Sequence, residues 1–497
     1  MTPQTDRRDF VVVPAPREPR EIRREQSRTT TSPLLFILAA IVVPIAFACG
    51  AAVGDELQIL GVVLALIGLM VICARPFYGL ILFVALLYTR PEESLQALAD
   101  MHFTLAVAVV TLVSMWFHMF MKKDHFVRAP FLFMVLSFGA TVVAGSLQVD
   151  NLSDAGQDMG RLMILVILIL NVVRTKDQYR QLVTALLVFT TYLAGYSIYL
   201  YFHGGAVSEL TGGDFYATRF LRAQGTGIFN DPNDLAATIV AGLGLGLSRL
   251  PSASKGGKAF YIAVSAIMIW AILLTNSRGG MIAFMAVLFG FFFITLKNKK
   301  VAIVLGILAA LGALALGSGH MTNFDSSESS ANSRFRFWHT AFDELTQHPV
   351  LGVGYNGFPS TNDGATAHNS FVLCYVENGV VGYFFFIGCI YYCFRRPPKP
   401  ALEGDANEED EESGRKELLG ARLGLFGYLA ASFWLSHTYE PIMYVMLPLP
   451  ILAQLCWTHG ANIYRGIKPS RDWRNIAVIA VSSIFLIELM ADHYINK

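Results

Sequence analysis

Uncharged apolar runs alternate with short polar connections along almost the whole chain, at 33–53, 56–74, 77–89, 101–121, 129–147, 160–173, 181–203, 234–250, 259–275, 280–296, 301–318, 370–394, 418–436, 441–457 and 474–491. Most are near the length of about 20 apolar residues that an α-helix needs to cross a bilayer. A water-soluble chain could bury one such run in its core, but it has no interior for more than a dozen. The pattern therefore predicts an all-α polytopic membrane protein of about fourteen transmembrane helices, within a range of roughly twelve to fifteen.

Lysine and arginine give an independent test, because they concentrate in cytoplasmic connections. With residues 1–32 inside, the inner segments carry Arg75; Lys122, Lys123 and Arg128; Arg174, Lys176 and Arg180; Arg249, Lys255 and Lys258; Lys297, Lys299 and Lys300; Arg395, Arg396 and Lys399; and Arg465, Lys468, Arg471 and Arg474. The alternate connections are comparatively poor in lysine. Two of them are long, at 204–233 and 319–369, and both fall outside. The arginines that do occur outside are therefore notable: Arg219, Arg222, Arg334 and Arg336 in the long loops, Arg278 at an outer helix end, and Arg90 beside two glutamates able to neutralise it.

Composition agrees with the pattern: 54% of the 497 residues are hydrophobic and 15% charged. A formal net charge of +1, with no basic domain, excludes a nucleic-acid partner as a reading. The six cysteines, Cys49, Cys73, Cys374, Cys389, Cys393 and Cys456, all sit in apolar runs without zinc-site spacing and read as small core residues. Residues 1–32, polar and arginine-rich, read as a disordered basic cytoplasmic tail rather than a cleavable signal. The expected organisation is that tail, N-terminal membrane helices over 33–203, a central region over 204–394, an acidic cytoplasmic loop at 395–417 that reads as a solvated linker, and C-terminal membrane helices over 418–497.

Three clusters could carry chemistry. In Gly225-Thr226-Gly227-Ile228-Phe229-Asn230-Asp231-Pro232-Asn233-Asp234, glycines and an Asp-Pro-Asn turn lead into an apolar run, with Asn233 or Asp234 placed to cap it. It is either a helix start alone or a rigid polar rim with Arg222 just upstream. Thr275-Asn276-Ser277-Arg278-Gly279-Gly280 puts an arginine between two apolar spans. That position is costly unless the side chain snorkels or faces water, protein or an anion, and serine, glycine amides and a guanidinium together suit phosphate. The third cluster begins with Phe335, Trp338, Phe342 and Leu345 at helical spacing, an amphipathic outer helix carrying Arg334, Arg336 and His339 and ended by Pro349. A glycine-punctuated turn containing Tyr355 follows, then Ala367-His368-Asn369-Ser370, then Glu377 inside an apolar run, where a carboxylate is usually paired or functional.

P-loop, Gly-x-Ser-x-Gly, His-Glu-x-x-His and divalent-metal signatures are absent from the sequence. Outer arginines with one well-placed histidine suit a reaction whose leaving group is a lipid pyrophosphate.

The order of these motifs resembles the O-antigen ligase and polymerase superfamily, which contains WaaL-like ligases and Wzy-like polymerases. The resemblance covers 222–394 and rests on Phe229-Asn230-Asp231-Pro232-Asn233-Asp234, Thr275-Asn276-Ser277-Arg278-Gly279, Arg334-Phe335-Arg336-Phe337-Trp338, Pro349-Val350-Leu351-Gly352-Val353-Gly354, Ala367-His368-Asn369-Ser370 and Glu377-Asn378-Gly379. It implies a GT-C-like membrane glycosyltransferase in the bacterial inner membrane. Such an enzyme moves a glycan from undecaprenyl pyrophosphate, with inversion, to an acceptor hydroxyl at the periplasmic face. The acceptor would be another lipid-linked glycan, lipid A-core or protein, and other polysaccharide-assembly proteins are conceivable partners. By position His368 would activate the acceptor, with Arg278 the second catalytic residue. Arg222, Arg219, Arg334, Arg336, Asn369, Asp231, Asn233, Tyr355 and Glu377 would surround pyrophosphate and glycan. The expectation includes no cofactor and no metal. A transporter or flippase for lipid-linked glycans is the alternative, but it would more naturally show internal repeats and mid-membrane charges.

Overall fold

Prolines and small polar side chains decide where the helices start. The structure, a computed structural model, describes residues 55–90, 103–127, 129–148, 151–211, 218–316, 329–362, 364–395, 408–457 and 469–495. The expected tail at 1–32 and first run at 33–53 lie outside these residues.

The N-terminal helices are α1 (Asp55–Ala74), α2 (Pro76–Thr89), α3 (Phe103–Lys122), α4 (Pro130–Gly145), α5 (Leu152–Val172) and α6 (Lys176–Phe202). Proline opens α2 and α4, where its missing N–H costs nothing, and Thr175 with Gln178 forms a capping box on α6. After α6 comes an antiparallel hairpin of β1 (Val207–Thr211) and β2 (Thr218–Arg222), pairing Val207 with Arg222. The all-α reading holds for the bundle, and the long connection at 204–233 adds a two-stranded ribbon that hydrophobic periodicity did not announce. Next come α7 (Pro232–Arg249), α8 (Lys255–Leu274), α9 (Arg278–Thr295) and α10 (Lys299–Leu316), the helix α11 (Ser329–Gln347) and a single turn, α12 (Phe358–Thr361). The chain continues through α13 (Ser370–Phe394), α14 (Glu408–Ser432), α15 (Pro441–Met446), α16 (Pro448–Trp457) and α17 (Pro469–Ile495).

Among the described residues, eight helices are long and apolar enough to cross a membrane, and four shorter apolar stretches accompany them. The protein is a multi-pass membrane protein. Its outward faces are apolar: Trp116, Phe117 and Phe120 on α3 and Phe485, Leu486 and Leu489 on α17 are largely exposed, as helices against lipid require.

Helices α7 and α13 are the most enclosed of the spans. Small residues let α7 meet α14 closely, since a Cβ on Gly244 would come within 2.8 Å of the Gly424 backbone. Close backbone approach of this kind drives helix association where burial from water cannot. The acidic run is exposed, as a solvated segment would be, but it is helical. From Glu408 it is already α14, and Asp410 pairs with Lys176 at 2.9 Å while Glu417 pairs with Arg249 at 2.9 Å. Lys176 and Arg249 of other segments give those carboxylates partners that the local sequence does not show.

Candidate functional site

Three helices start close together, and each start lies in one of the expected motifs. The expected cap of Asn233 or Asp234 on α7 is corrected to Asp231, which accepts from Asn233 N at 2.6 Å, because Pro232 already opens the helix and puts Asn233 and Asp234 inside its first turn. Ser277 caps α9 through Gly280 N, and Asn369 caps α13 through Phe371 N and Val372 N. The Asn233 side chain joins the first two helices, because its Oδ1 accepts from Ser277 Oγ at 2.7 Å and from Arg222 Nη2 at 2.7 Å. Arg222 also donates from Nε to the Thr275 carbonyl at 2.8 Å and is buried. Arg222 and Asn233 thus tie the hairpin to the starts of α7 and α9. The positive dipole ends of three helices meet here, which favours negative charge.

The loop between α14 and α15 closes the gap between α7 and α13. Ser370 Oγ donates to the Leu435 carbonyl at 2.7 Å and accepts from His437 N at 2.7 Å. His437, only 3% exposed, reaches across to Asp234 of α7, with Nε2 2.7 Å from Oδ1. Sequence reasoning did not single out His437. The signal was the polar run His437-Thr438-Tyr439-Glu440 between two apolar stretches. Burial raises the Glu440 carboxyl above its ordinary value; His437 opposes this, Asp234 adds to it, and Arg90 opposes it.

His368 sits at the mouth of α13 in a left-handed backbone conformation (φ 47°), and the residue before it is pinned from α11 by Trp338 Nε1 donating to the Ala367 carbonyl at 2.9 Å. Its imidazole is held below the ordinary histidine value, first by burial and then by the Arg334 guanidinium, while Asp231 and Asp234 act in the opposite direction. The fold thus assembles His368, Arg334, Asp231 and Asp234 from three separate segments. Arg278 opens α9 beside Gly279, where an added Cβ would come 3.1 Å from Trp434 Cβ. Arg336 is exposed on α11, and Arg219 lies on β2 opposite Leu210.

Three expected substrate contacts have structural duties. Asn369 is fully buried under its capping bonds. Glu377, 1% exposed, accepts from Tyr439 Oη at 2.8 Å. It lies where α13 breaks at Gly379 (φ 62°) and the 349–358 turn docks, with Val353 N donating to Val376 O, Gly354 N to Glu377 O, and Val380 N to Pro349 O. A Cβ on Gly352 would fall 2.4 Å from the Glu377 carbonyl carbon, so the glycines of both motifs serve this joint. Tyr355 donates to Asp158 Oδ2 at 2.8 Å and stands edge-on to Tyr439, but it also faces a cavity.

That cavity, of about 680 Å³, has apolar walls from α2 (Phe83, Leu86, Leu87), α3 (Leu105, Ala108) and α5 (Leu162, Leu165), and a polar mouth of Arg90, Asp158, Arg161, Tyr355, Tyr439 and Glu440. Arg90, expected to be neutralised by its neighbouring glutamates, faces it. Thr366 and Ser436 on its rim flank His368 and His437 in sequence and bond to each other at 2.8 Å.

Residues 263–387 match the O-antigen ligase family model. That match supports a place for the chain in the O-antigen ligase and polymerase superfamily. That family implies glycosyl transfer between lipid-linked glycan and acceptor substrates. The matched segment runs from α8 into α13 and holds Arg278, Arg334, Arg336 and His368, whereas the partners supplied by Arg222, Asp231, Asn233, Asp234 and His437 lie outside it. No curated protein matches the chain.

Proposed function

We propose that this O-antigen ligase-family protein transfers a glycan from undecaprenyl pyrophosphate to an acceptor hydroxyl, with inversion at the anomeric carbon. The reaction takes place on the periplasmic face of the bacterial inner membrane, within a GT-C-like fold whose N-terminus is cytoplasmic. The observation carrying this reading is His368 in the shared field of Arg334, Asp231 and Asp234, two residues along the chain from Thr366 on the rim of a cavity with apolar walls and a polar mouth. The acceptor oxygen bonds to the anomeric carbon as the bond from that carbon to the pyrophosphate oxygen breaks. Neutral His368 takes the acceptor proton, and the two aspartates stabilise the imidazolium that forms. Arg278 and Arg334 stabilise the departing charge, with Arg336 and Arg219 assigned to the lipid pyrophosphate and the glycan; Arg222 acts by holding Asn233 and the α9 start. The polyprenyl chain lies along α2, α3 and α5. The proton transfer and charge stabilisation need no metal at the reacting carbon.

The acceptor separates a Wzy-like polymerase from a WaaL-like ligase. Purified protein is incubated with undecaprenyl-pyrophosphate-linked repeat units, and the products are resolved by gel. A ladder of lengthening lipid-linked glycan that disappears in His368→Ala identifies a polymerase. Transfer only after lipid A-core or protein is added identifies a ligase. Full activity in His368→Ala removes the assigned role, and no transfer to any acceptor favours a transporter.

A further inference from the structure

The helix α11 lies along the end of α17, and their facing aromatic side chains fix the pairing: Phe335 stacks on Tyr494 at 4.0 Å and Phe342 meets Phe485. Between these contacts His339 Nδ1 is 2.7 Å from Glu488 Oε1 and 3.4 Å from Asp492 Oδ1. Glu488 and Asp492, four residues apart, share one face of α17. On the other side of the ring, His339 Nε2 is 3.9 Å from Asp343 Oδ2. Three carboxylates therefore converge on one imidazole, and among the described residues no lysine or arginine forms an ion pair with Glu488 or Asp492.

Glu488 is 8% exposed, and its Oε2 has no hydrogen-bond partner among the described residues. A buried carboxylate oxygen without a donor is costly, and a cation at this point would supply what the protein does not.

We propose that His339, Glu488 and Asp492 bind one zinc ion, with Asp343 orienting the histidine from its other ring nitrogen. The three donor atoms lie within 4.8 Å of one another, so small side-chain rotations bring them to the roughly 2.0–2.2 Å bonds of tetrahedral zinc. An imidazole beside two carboxylates suits zinc, whereas calcium and magnesium take oxygen sets. A carboxylate on the far nitrogen of a metal-bound histidine fixes its tautomer and ring orientation. Half-exposed His339 and Asp492 leave the fourth position open to water. Bound here, the ion fastens α11 to α17, and α11 carries Trp338, which holds the turn before His368. The site is separate from the reacting centre and does not rest on the proposed reaction.

The test uses the untagged full chain in nanodiscs, stripped with EDTA and dialysed, then titrated with Zn²⁺ against a chromophoric chelator and with Co²⁺ under visible absorption. The expected result is one ion per chain with tetrahedral cobalt bands. Affinity should fall at least about tenfold in His339→Ala and in Asp492→Asn, and about 10–100-fold in Asp343→Asn. Because Asp492 is half exposed, Asp492→Asn retains the fold. Its melting temperature should no longer rise with zinc as that of the unaltered protein does. Equal zinc affinity in the unaltered protein and Asp492→Asn, absence of the cobalt bands, or tighter binding of calcium than zinc would overturn the assignment.

Discussion

His437 of the α14–α15 loop hydrogen-bonds Asp234 of α7 with Nε2 2.7 Å from Oδ1, across 203 residues of sequence, and its ring stacks on Tyr428. This one bond ties the loop that rims the cavity to the helix start that faces His368. Hydrogen bonds to charged groups contribute about 1.5–3 kcal/mol. His437→Ala is expected to lose stability of that order, read as thermal unfolding in detergent, together with most transfer activity. An unchanged melting temperature would mean that the loop is held elsewhere.

Trp338 acts on His368 at one remove. Trp338→Phe keeps an aromatic ring in the core but removes the N–H that holds the Ala367 carbonyl. Misplacement of a catalytic group by about 1 Å costs about 100-fold in rate, so kcat is expected to fall by about ten- to a hundredfold. Substrate KM and melting temperature should change far less. A fall confined to KM would place Trp338 in binding instead.

The acid limb of the rate profile should report His368. Burial and Arg334 hold its imidazole below the ordinary 6.5, so the neutral, proton-accepting form persists through neutral pH and is lost only as pH falls below 6.5. Arg334→Gln removes one lowering influence and should move the limb of kcat/KM to higher pH; Asp231→Asn removes a raising one and should move it lower. Shifts in the same direction for both variants would refute the assignment of this limb to His368.

At the break in α13, Gly379→Ala would place a Cβ 2.3 Å from the Val350 backbone at a positive φ. Backbone strain alone costs about 1–3 kcal/mol at such a position, and the collision adds to it. Gly195→Ala on α6 is the control, with nothing within 4 Å of its Cβ, and should be neutral or stabilise by up to about 1 kcal/mol. Thermal melts of the two variants side by side make the comparison.

If the cavity holds the donor chain, Ala108→Phe fills its apolar wall. KM for a long-chain polyprenyl donor should rise about tenfold, equivalent to about 1.4 kcal/mol. KM for a short-chain analogue should hold. Equal effects on both donors would place the chain elsewhere.

Much of this architecture was legible along the chain, because membrane insertion is decided locally. A run of apolar residues, the lysines and arginines flanking it, and a proline or small polar residue at its start define a helix and its side wherever its neighbours lie. The starts of α7, α9 and α13, and the amphipathic α11 with Trp338 inward, follow from such short-range rules. What the tertiary structure decided depends on which helices pack together, and hydrophobic period does not encode crossing angles or partners. Glu377 and Gly379 became one side of a joint with the 349–358 turn, and Arg222 became a brace on Asn233. The acidic run at Glu408 became a helix paired with Lys176 and Arg249. The contacts of His437 with Asp234 and of His339 with Glu488 join segments far apart in sequence, and only the packed bundle brings those side chains within bonding distance.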